Sequence, residues 1–457
     1  MLIRFRVSNF LSFNQQVELS MIPGKTRQHL DHIISGGGGR NDINILKASI
    51  VYGANASGKS NLIKAVDFAK GLITGGTKAK QAISLHPFKL DTARLSQPSK
   101  FEFEFRQNNI NYLYGFELNT QKIIAEWLYE IKKTTQEMLF ERVFNGDEKT
   151  KVTFGTAIQK KDLKFLEFVA MGTRPNQLFL TESMDRNVAY FKPAFDWFAE
   201  TLVIIFPGTR FSITPFIAGR KAIANYIVDY LEKFDTGICG FELVPVESRK
   251  IFTPEILGKL AEDIKPGMNG GILLSTSAEN LVGSYIVDKD AAGELQTSKL
   301  MLKHRMGNCS EQTPFEVSEE SDGTIRLIDL IPILNNPGEH NLVYFDSGEN
   351  KRVYLIDELE RSLHPDLSHK FIQFFLQETK SYSQIIAATH EATLLDLDLL
   401  RRDEVWFVQK DKTGASSLYS LEEFSPRYDK DIEKGYLLGR FGAIPLIRDL
   451  DPVEDNL

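Results

Sequence analysis

Ala48-Ser49-Ile50-Val51-Tyr52, running straight into Gly53-Ala54-Asn55-Ala56-Ser57-Gly58-Lys59-Ser60, is the stretch on which the fold turns. The first five residues read as a short apolar strand, the next eight satisfy Gly-x-x-x-x-Gly-Lys-Ser/Thr, and a helix is expected from Lys59 onward. Each residue type suits its place. The glycines let successive backbone N–H groups turn inward around a phosphate chain, and the helix N-terminus adds positive potential. Lys59 reaches the β- and γ-phosphates of ATP, and the Ser60 hydroxyl ligates Mg2+. The expected nucleotide-binding set is Gly53, Asn55, Ala56, Ser57, Gly58, Lys59, Ser60 and Asn61.

Downstream, Val353-Tyr354-Leu355-Ile356-Asp357-Glu358 places four apolar residues after Lys351-Arg352 and two carboxylates at the strand's C-terminal end. Such a run reads as a strand buried on both faces of a parallel sheet, and ligands bind beyond the carboxyl ends of these strands. Asp357 is expected to hold Mg2+ and Glu358 to polarise the attacking water, since phosphoryl transfer needs an oriented in-line nucleophile. Alone, two acids after a strand would be an ordinary helix start. The phosphate loop upstream changes that reading.

A third strand, Ile385–Ala388, leads through Thr389 to His390, placed to hydrogen-bond the γ-phosphate and sense its loss. Glu320-Ser321-Asp322-Gly323-Thr324 opens a helix expected near Ile325. Ser, Gly and a helix N-terminus form an anion site, and also an ordinary N-cap. Pro332 shortens or kinks that helix. Asp396-Leu397-Asp398 imitates the acidic pair of a metal-dependent nuclease, but it falls in leucine-rich Leu394–Arg401 and reads as helix surface.

Around these motifs the chain divides into residues 1–154, 155–310 and 311–457. In the first part, Ile3, Phe5 and Val7 alternate with Arg4 and Arg6, a second strand is expected near Gln16–Met21, and Gly36–Gly39 suggests a flexible loop. Phe101–Phe105, Tyr112–Leu118, Ile123–Ile131 and Met138–Val143 read as antiparallel strands separated by turn residues. The middle part, with helix-like Val188–Ile205 and Ala222–Phe234, reads as an insertion of mixed, mostly helical character without a heptad repeat. The last part returns to helix, buried strand, helix, strand.

Composition narrows the class further. Hydrophobic residues at 42 % and charged residues at 25 % are ordinary for a soluble globular chain of 457 residues. No transmembrane run or signal peptide is expected, and two cysteines without a CxxC, Cys239 and Cys309, point to a reduced compartment and simple packing. The cytoplasm is the expected location. A net charge of −7 excludes a uniformly basic nucleic-acid binder. The short clusters Lys78/Lys80 and Lys160/Lys161/Lys164 read as solvated helix faces.

Taken in order, the P-loop, Ser321-x-Gly323-Thr324, the strand ending in Asp357-Glu358, Glu360-Arg361-Ser362-Leu363-His364-Pro365 and Ala388-Thr389-His390 resemble the SMC-like ABC ATPases. Phe5-Arg6-Val7-Ser8-Asn9-Phe10-Leu11-Ser12-Phe13 is similar to the N-terminal strand-turn of that group. Tyr436-Leu437-Leu438-Gly439-Arg440-Phe441-Gly442-Ala443-Ile444-Pro445 is similar to the end of RloA-type AAA family ATP-binding proteins. In kind, the chain resembles the ATPase components of the RloA/AbiL, PARIS and Septu phage-defence systems. The fold so expected is α/β, an ABC/SMC-type P-loop NTPase head of mixed sheet and antiparallel β-subdomain, with the mostly helical insertion and no long coiled coil.

The resemblance implies a head-to-tail dimer in which Ser321, Gly323 and Thr324 act in trans and Ser362, Leu363 and His364 form the D-loop. A reduced signature, ESDGT, implies slow turnover. Gln81 and Phe88-Lys89-Leu90 are candidates for the Q-loop. Relatives of this kind hold a separate TOPRIM-type or HNH nuclease and answer a phage-encoded trigger, so an ATP-gated sensor is the expected function. A DNA-repair clamp acting on DNA is the alternative, whereas an ABC transporter subunit would not need the insertion, and no membrane partner is expected.

Overall fold

The computed structural model describes residues 1–36, 43–132, 135–144, 150–209, 221–264, 272–276, 283–290, 292–306, 312–334, 351–377, 383–424 and 432–444. Gly37–Gly39, Cys309 and Pro445 lie outside them. The chain forms two compact units, one of Met1–Phe206, Lys351–Leu359 and Tyr382–Leu457, the other of Pro207–Asn350 and Glu360–Ser381. Divisions at residues 154 and 310 do not coincide with these units, because the helices between 155 and 206 pack within the first.

The first unit holds two large sheets and a two-stranded one, Ile33–Ile34 with Ile45–Leu46. Of the large sheets, one is antiparallel, ordered Thr150–Phe154, Gln136–Phe144, Ile123–Ile131, Ile110–Leu118, Ser99–Gln107, Leu2–Ser8 and Val17–Ser20. Period-two alternation puts Phe5, Phe101, Phe103 and Phe105 into the core, where Phe105 stacks on Trp197 at 4.4 Å. The opposite face carries charge: Arg6 meets Glu18, Glu102 and Glu104 at 2.5, 2.7 and 3.0 Å, cross-strand pairs that hold the register.

The second sheet runs Leu202–Ile205, Val353–Ile356, Gln384–Ala388, Ala48–Tyr52, Val405–Lys410 and Ser416–Ser420. All neighbours are parallel except the last pair. Val353–Ile356, Gln384–Ala388 and Ala48–Tyr52 are buried at every position, as strands covered on both faces must be.

Two helix expectations fail here. Val188–Ile205 is a 3-10 turn, a short helix Lys192–Asp196, a π-type turn Trp197–Thr201, and then the strand Leu202–Ile205. Pro193 is tolerated only at the start of its helix, and Val203, Ile204 and Ile205 are β-branched residues that pair with Tyr354–Ile356. Leu394–Arg401 is not a helix either. Past the 3-10 turn Ala392–Leu394 the Asp396 side chain accepts the Asp398 amide at 2.8 Å, so the two acids belong to a turn.

In the second unit, helices Lys221–Lys233, Pro254–Asp263, Asp322–Leu334 and Pro365–Gln377 accompany an antiparallel sheet ordered Ile238–Val246, Leu295–Arg305, Gly283–Lys289 and Ile272–Thr276, with Gln312–Glu316 also pairing to Leu295–Arg305. Of these helices Lys221–Lys233 and Pro254–Asp263 fall within residues 155–310, the segment expected to be mostly helical; the sheet is an addition to that expectation. Ile238–Val246 is mostly half-buried, so its sequence shows no clean alternation. Among the described residues the longest helix is the 17-residue Lys59–Gly75, and no helix is long and apolar enough to cross a membrane.

Candidate nucleotide site

Parallel pairing brings the ends of three strands into line. Val51 stands opposite Ala388, and Ala387 opposite Ile356, so Gly53, Thr389 and Asp357 leave the same edge of the sheet. The Asp357 amide donates to Ile205 O at 2.9 Å and the Leu359 amide to Ala388 O at 3.1 Å. Glu358, between these anchors, takes a left-handed φ of 50°, which is uncommon for a residue with a Cβ and is found where surroundings hold strain at working sites.

The loop wraps around its own lysine. Lys59 is buried, and its ammonium donates to Gly53 O at 2.6 Å and Ala54 O at 3.1 Å. It also lies 3.1 Å from His390 Nδ1, a contact between residues 331 positions apart. The Ser60 hydroxyl donates to Asp357 Oδ1 at 3.0 Å. Gly58 has φ 119°, and a Cβ there would stand 2.4 Å from Ser416 Oγ and 2.8 Å from Ser12 Oγ. Asn55 and Ala56 are exposed at the loop tip, and Ala56 is left-handed at φ 61°. The Ser57 hydroxyl is buried without a hydrogen-bond partner among the described residues.

Two serines outside the phosphate loop brace it. Ser416 donates to Ser57 O at 2.5 Å, and its amide donates to Ser12 O at 2.8 Å. Ser12 Oγ in turn accepts from Asn61 Nδ2 at 2.8 Å. Ser12 belongs to the N-terminal stretch Phe5–Phe13, whereas a lone hairpin serine such as Ser416 gives no local signal. Beside them a cavity of about 410 Å3 is lined by Ser12, Asn61, Phe88, Lys89, Leu90 and Lys410, among others. Gln81 is not among its lining residues.

Burial pushes the Asp357 carboxyl above its ordinary value of 3.8, with Glu358 adding to the rise, while the Ser60 hydroxyl and the Lys64 and Lys59 charges oppose it. A carboxyl with a raised folded-state pKa contributes stability that is present below 3.8 and lost as pH rises through the folded value. At neutral pH the charged form therefore burdens the empty fold. Asp357→Asn is expected to leave the melting temperature of the nucleotide-free chain unchanged or raised while weakening Mg2+-dependent ATP binding. A melting temperature several degrees lower would contradict this account.

The remaining motif residues lie in the second unit. The helix there starts at Asp322, three residues before the expected Ile325, and the Ser321 hydroxyl caps it by accepting the Thr324 amide at 3.1 Å. Ser321 Oγ and Thr324 Oγ1 are 2.9 Å apart, and Ser321 is exposed. A Cβ on Gly323 would lie 2.5 Å from Ser362 O, so only glycine admits the backbone of Ser362 so near. Ser362 is left-handed at φ 61°, the Leu363 amide donates to Glu360 O at 2.8 Å, and the exposed His364 ring accepts the Asp366 amide at 3.3 Å.

The strand order, the phosphate loop and the aligned carboxylates define a P-loop head of the ABC/SMC kind. Residues 49–168 and 302–396, just under half of the chain, match the protein family described as "AAA domain, putative AbiEii toxin, Type IV TA system". The matched segments support an AAA-type ATPase domain. Similar solved structures include an Smc head bound to the C-winged helix domain of ScpA, at 14 % identity over 93 % of this chain and 99 % of that one, TM-score 0.38. Another is the SMC head domain from Thermotoga maritima, at 14 % identity over 92 % and 98 %, TM-score 0.34. A third is an Smc head with an extended coiled coil, bound to the C-terminal domain of ScpA derived from Pyrococcus furiosus, at 12 % identity over 96 % and 98 %, TM-score 0.34. No curated protein matches the chain.

Proposed function

We propose that this chain binds and slowly hydrolyses ATP as a head-to-tail dimer, and that it serves an anti-phage defence system as the sensor-scaffold restraining or activating a separate effector nuclease. The convergence of Lys59, Ser60, Asp357 and His390 within hydrogen-bond reach on one sheet edge carries the ATPase part of the reading. The defence part leans on the family description, which names a toxin–antitoxin system.

The residues present suit the nucleotide. A buried ammonium in the phosphate loop, an orphaned Ser57 hydroxyl and a hydroxyl–carboxylate pair are the donor set that a triphosphate with its metal calls for. Mg2+, when bound, would be held by Ser60 and through water by Asp357, and it would neutralise charge on the phosphates. Lys59 would then exchange loop carbonyls for phosphate oxygens, Glu358 would orient the attacking water, and His390 would follow the γ-phosphate. The cavity beside Asn61, the position after Ser60, has room for the nucleoside end. Exposed Ser321, with the helix N-terminus behind it, would meet the γ-phosphate held by the opposite subunit.

Mixing tests the composite site. Lys59→Ala subunits and Ser321→Arg subunits should each lack turnover, and heterodimers should regain one working site, about half of wild-type activity at most. Verified heterodimers without recovery would argue against signatures acting in trans. The defence role predicts a nuclease encoded next to this gene whose toxicity changes when Lys59→Ala replaces the wild-type chain. Toxicity indifferent to that exchange, or steeply salt-dependent stimulation of turnover by DNA, would favour a DNA clamp instead.

A further inference from the structure

Three side chains with metal-binding atoms meet in the first unit, apart from the residues assigned to the nucleotide. His29, Asp31 and His32 each offer one ligand atom within 4.8 Å of the other two. The tautomer of each ring is set from behind. His32 Nδ1 faces both oxygens of the Glu404 carboxylate at 3.1 Å, and Glu404, fully buried, also accepts the Arg401 amide at 2.8 Å. A hydrogen on Nδ1 suits that carboxylate and leaves the lone pair on Nε2, which lies 4.0 Å from Asp31 Oδ2.

His29 Nε2 lies 3.0 Å from Leu397 O. A carbonyl can only accept, so Nε2 carries the hydrogen and the lone pair sits on Nδ1. Both imidazoles thus have their outer N–H tied to oxygen, as metal-binding histidines in proteins do. The backbone is committed to the same arrangement. His29 holds a left-handed conformation, φ 47° and ψ 54°, unusual for a residue with a Cβ. Behind the loop, the buried Arg401 guanidinium donates to Gln28 O at 2.6 Å and Thr26 O at 3.2 Å, and Asp403 accepts the Gly24 amide at 2.7 Å.

We propose that His29 Nδ1, His32 Nε2 and an Asp31 carboxylate oxygen form a divalent transition-metal site suited to zinc, with solvent in the fourth position. Two imidazoles and one carboxylate are a donor set that zinc accepts in tetrahedral geometry and that Mg2+, which favours oxygen, does not compete for. His32 is buried while the Asp31 side chain is 62 % exposed, which gives the ion a protein wall on one side and an entrance on the other. Through Leu397 and Glu404 the site would clip the loop before the phosphate-binding strand to the segment that follows His390.

The test is a zinc titration of the chelator-stripped full chain against a chromophoric competitor, in millimolar Mg2+ so that Ser60 and Asp357 are occupied. We expect one tightly held zinc per chain, a visible cobalt(II) band of tetrahedral type, and a melting temperature raised by zinc. His29→Asn retains a residue tolerant of the left-handed backbone, and Asp31→Asn changes an exposed side chain, so both should fold. Each is expected to weaken zinc binding at least ~100-fold, beyond the ~10–100-fold that loss of an outer partner produces. Zinc bound equally well by wild type and both variants, or not held at micromolar concentrations by wild type, would overturn the site.

Discussion

Glu358→Gln is expected to bind ATP with Mg2+ as the wild type does and to turn it over at least ~100-fold more slowly, the usual scale for loss of a positioned general base. The structure makes this a sharp test because Glu358 is fixed by its neighbours in the chain. Asp357 and Leu359 are each hydrogen-bonded to the end of an adjoining strand, and Glu358 takes the left-handed turn between them. Glutamine preserves size and backbone while removing the basic oxygen, so binding and hydrolysis should separate. Single-turnover hydrolysis and nucleotide affinity, measured side by side, give the answer. A variant with unaltered turnover would move the base elsewhere in the site.

The second large effect concerns stability. Glu126 and Arg142 are both buried on neighbouring strands, 3.6 Å apart. Glu126 accepts the Phe179 and Leu180 amides at 2.6 and 2.9 Å and the Tyr114 hydroxyl at 3.0 Å, so one carboxylate pins the start of helix Phe179–Asp185 to the antiparallel sheet. Arg142 donates to Gln177 O and Arg174 O just ahead of that helix. Burial pushes the Glu126 carboxyl up, with Arg142 and the two amides opposing, and it pushes the Tyr114 hydroxyl up too. Glu126→Ala would leave Arg142 charged and unpaired in the interior, and breaking such a pair costs about 3–5 kcal/mol. Denaturant unfolding should therefore show a loss of that size, whereas Glu126→Ala within about 1 kcal/mol of wild type would mean that water reaches Arg142.

Local features of this protein are legible in its sequence. The phosphate loop, the apolar strands Ala48–Tyr52, Val353–Ile356 and Ile385–Ala388 and the Phe-rich meander are patterns of a few consecutive residues, and the structure carries each of them. Val188–Ile205 was misleading because an apolar run without alternation suits a helix or a fully buried strand equally. Its last four residues were decided by pairing with Val353–Ile356, which lies far along the chain. In the second unit's sheet the half-buried strand Ile238–Val246 stayed hidden for the opposite reason: it lacks the alternation that a one-sided core imposes.

By itself, then, the amino-acid order determined that a nucleotide-type loop, two acids after a strand and a histidine after another strand exist in this protein. Only the tertiary structure decided that Lys59 meets His390, that Ser60 meets Asp357, that Ser416 braces the loop, and that His29, Asp31 and His32 each bring a ligand atom within 4.8 Å of the other two. The reason is physical. A backbone's local preferences act over a handful of residues, whereas the register of parallel strands, which sets those meetings, is fixed by burial shared among segments hundreds of positions apart.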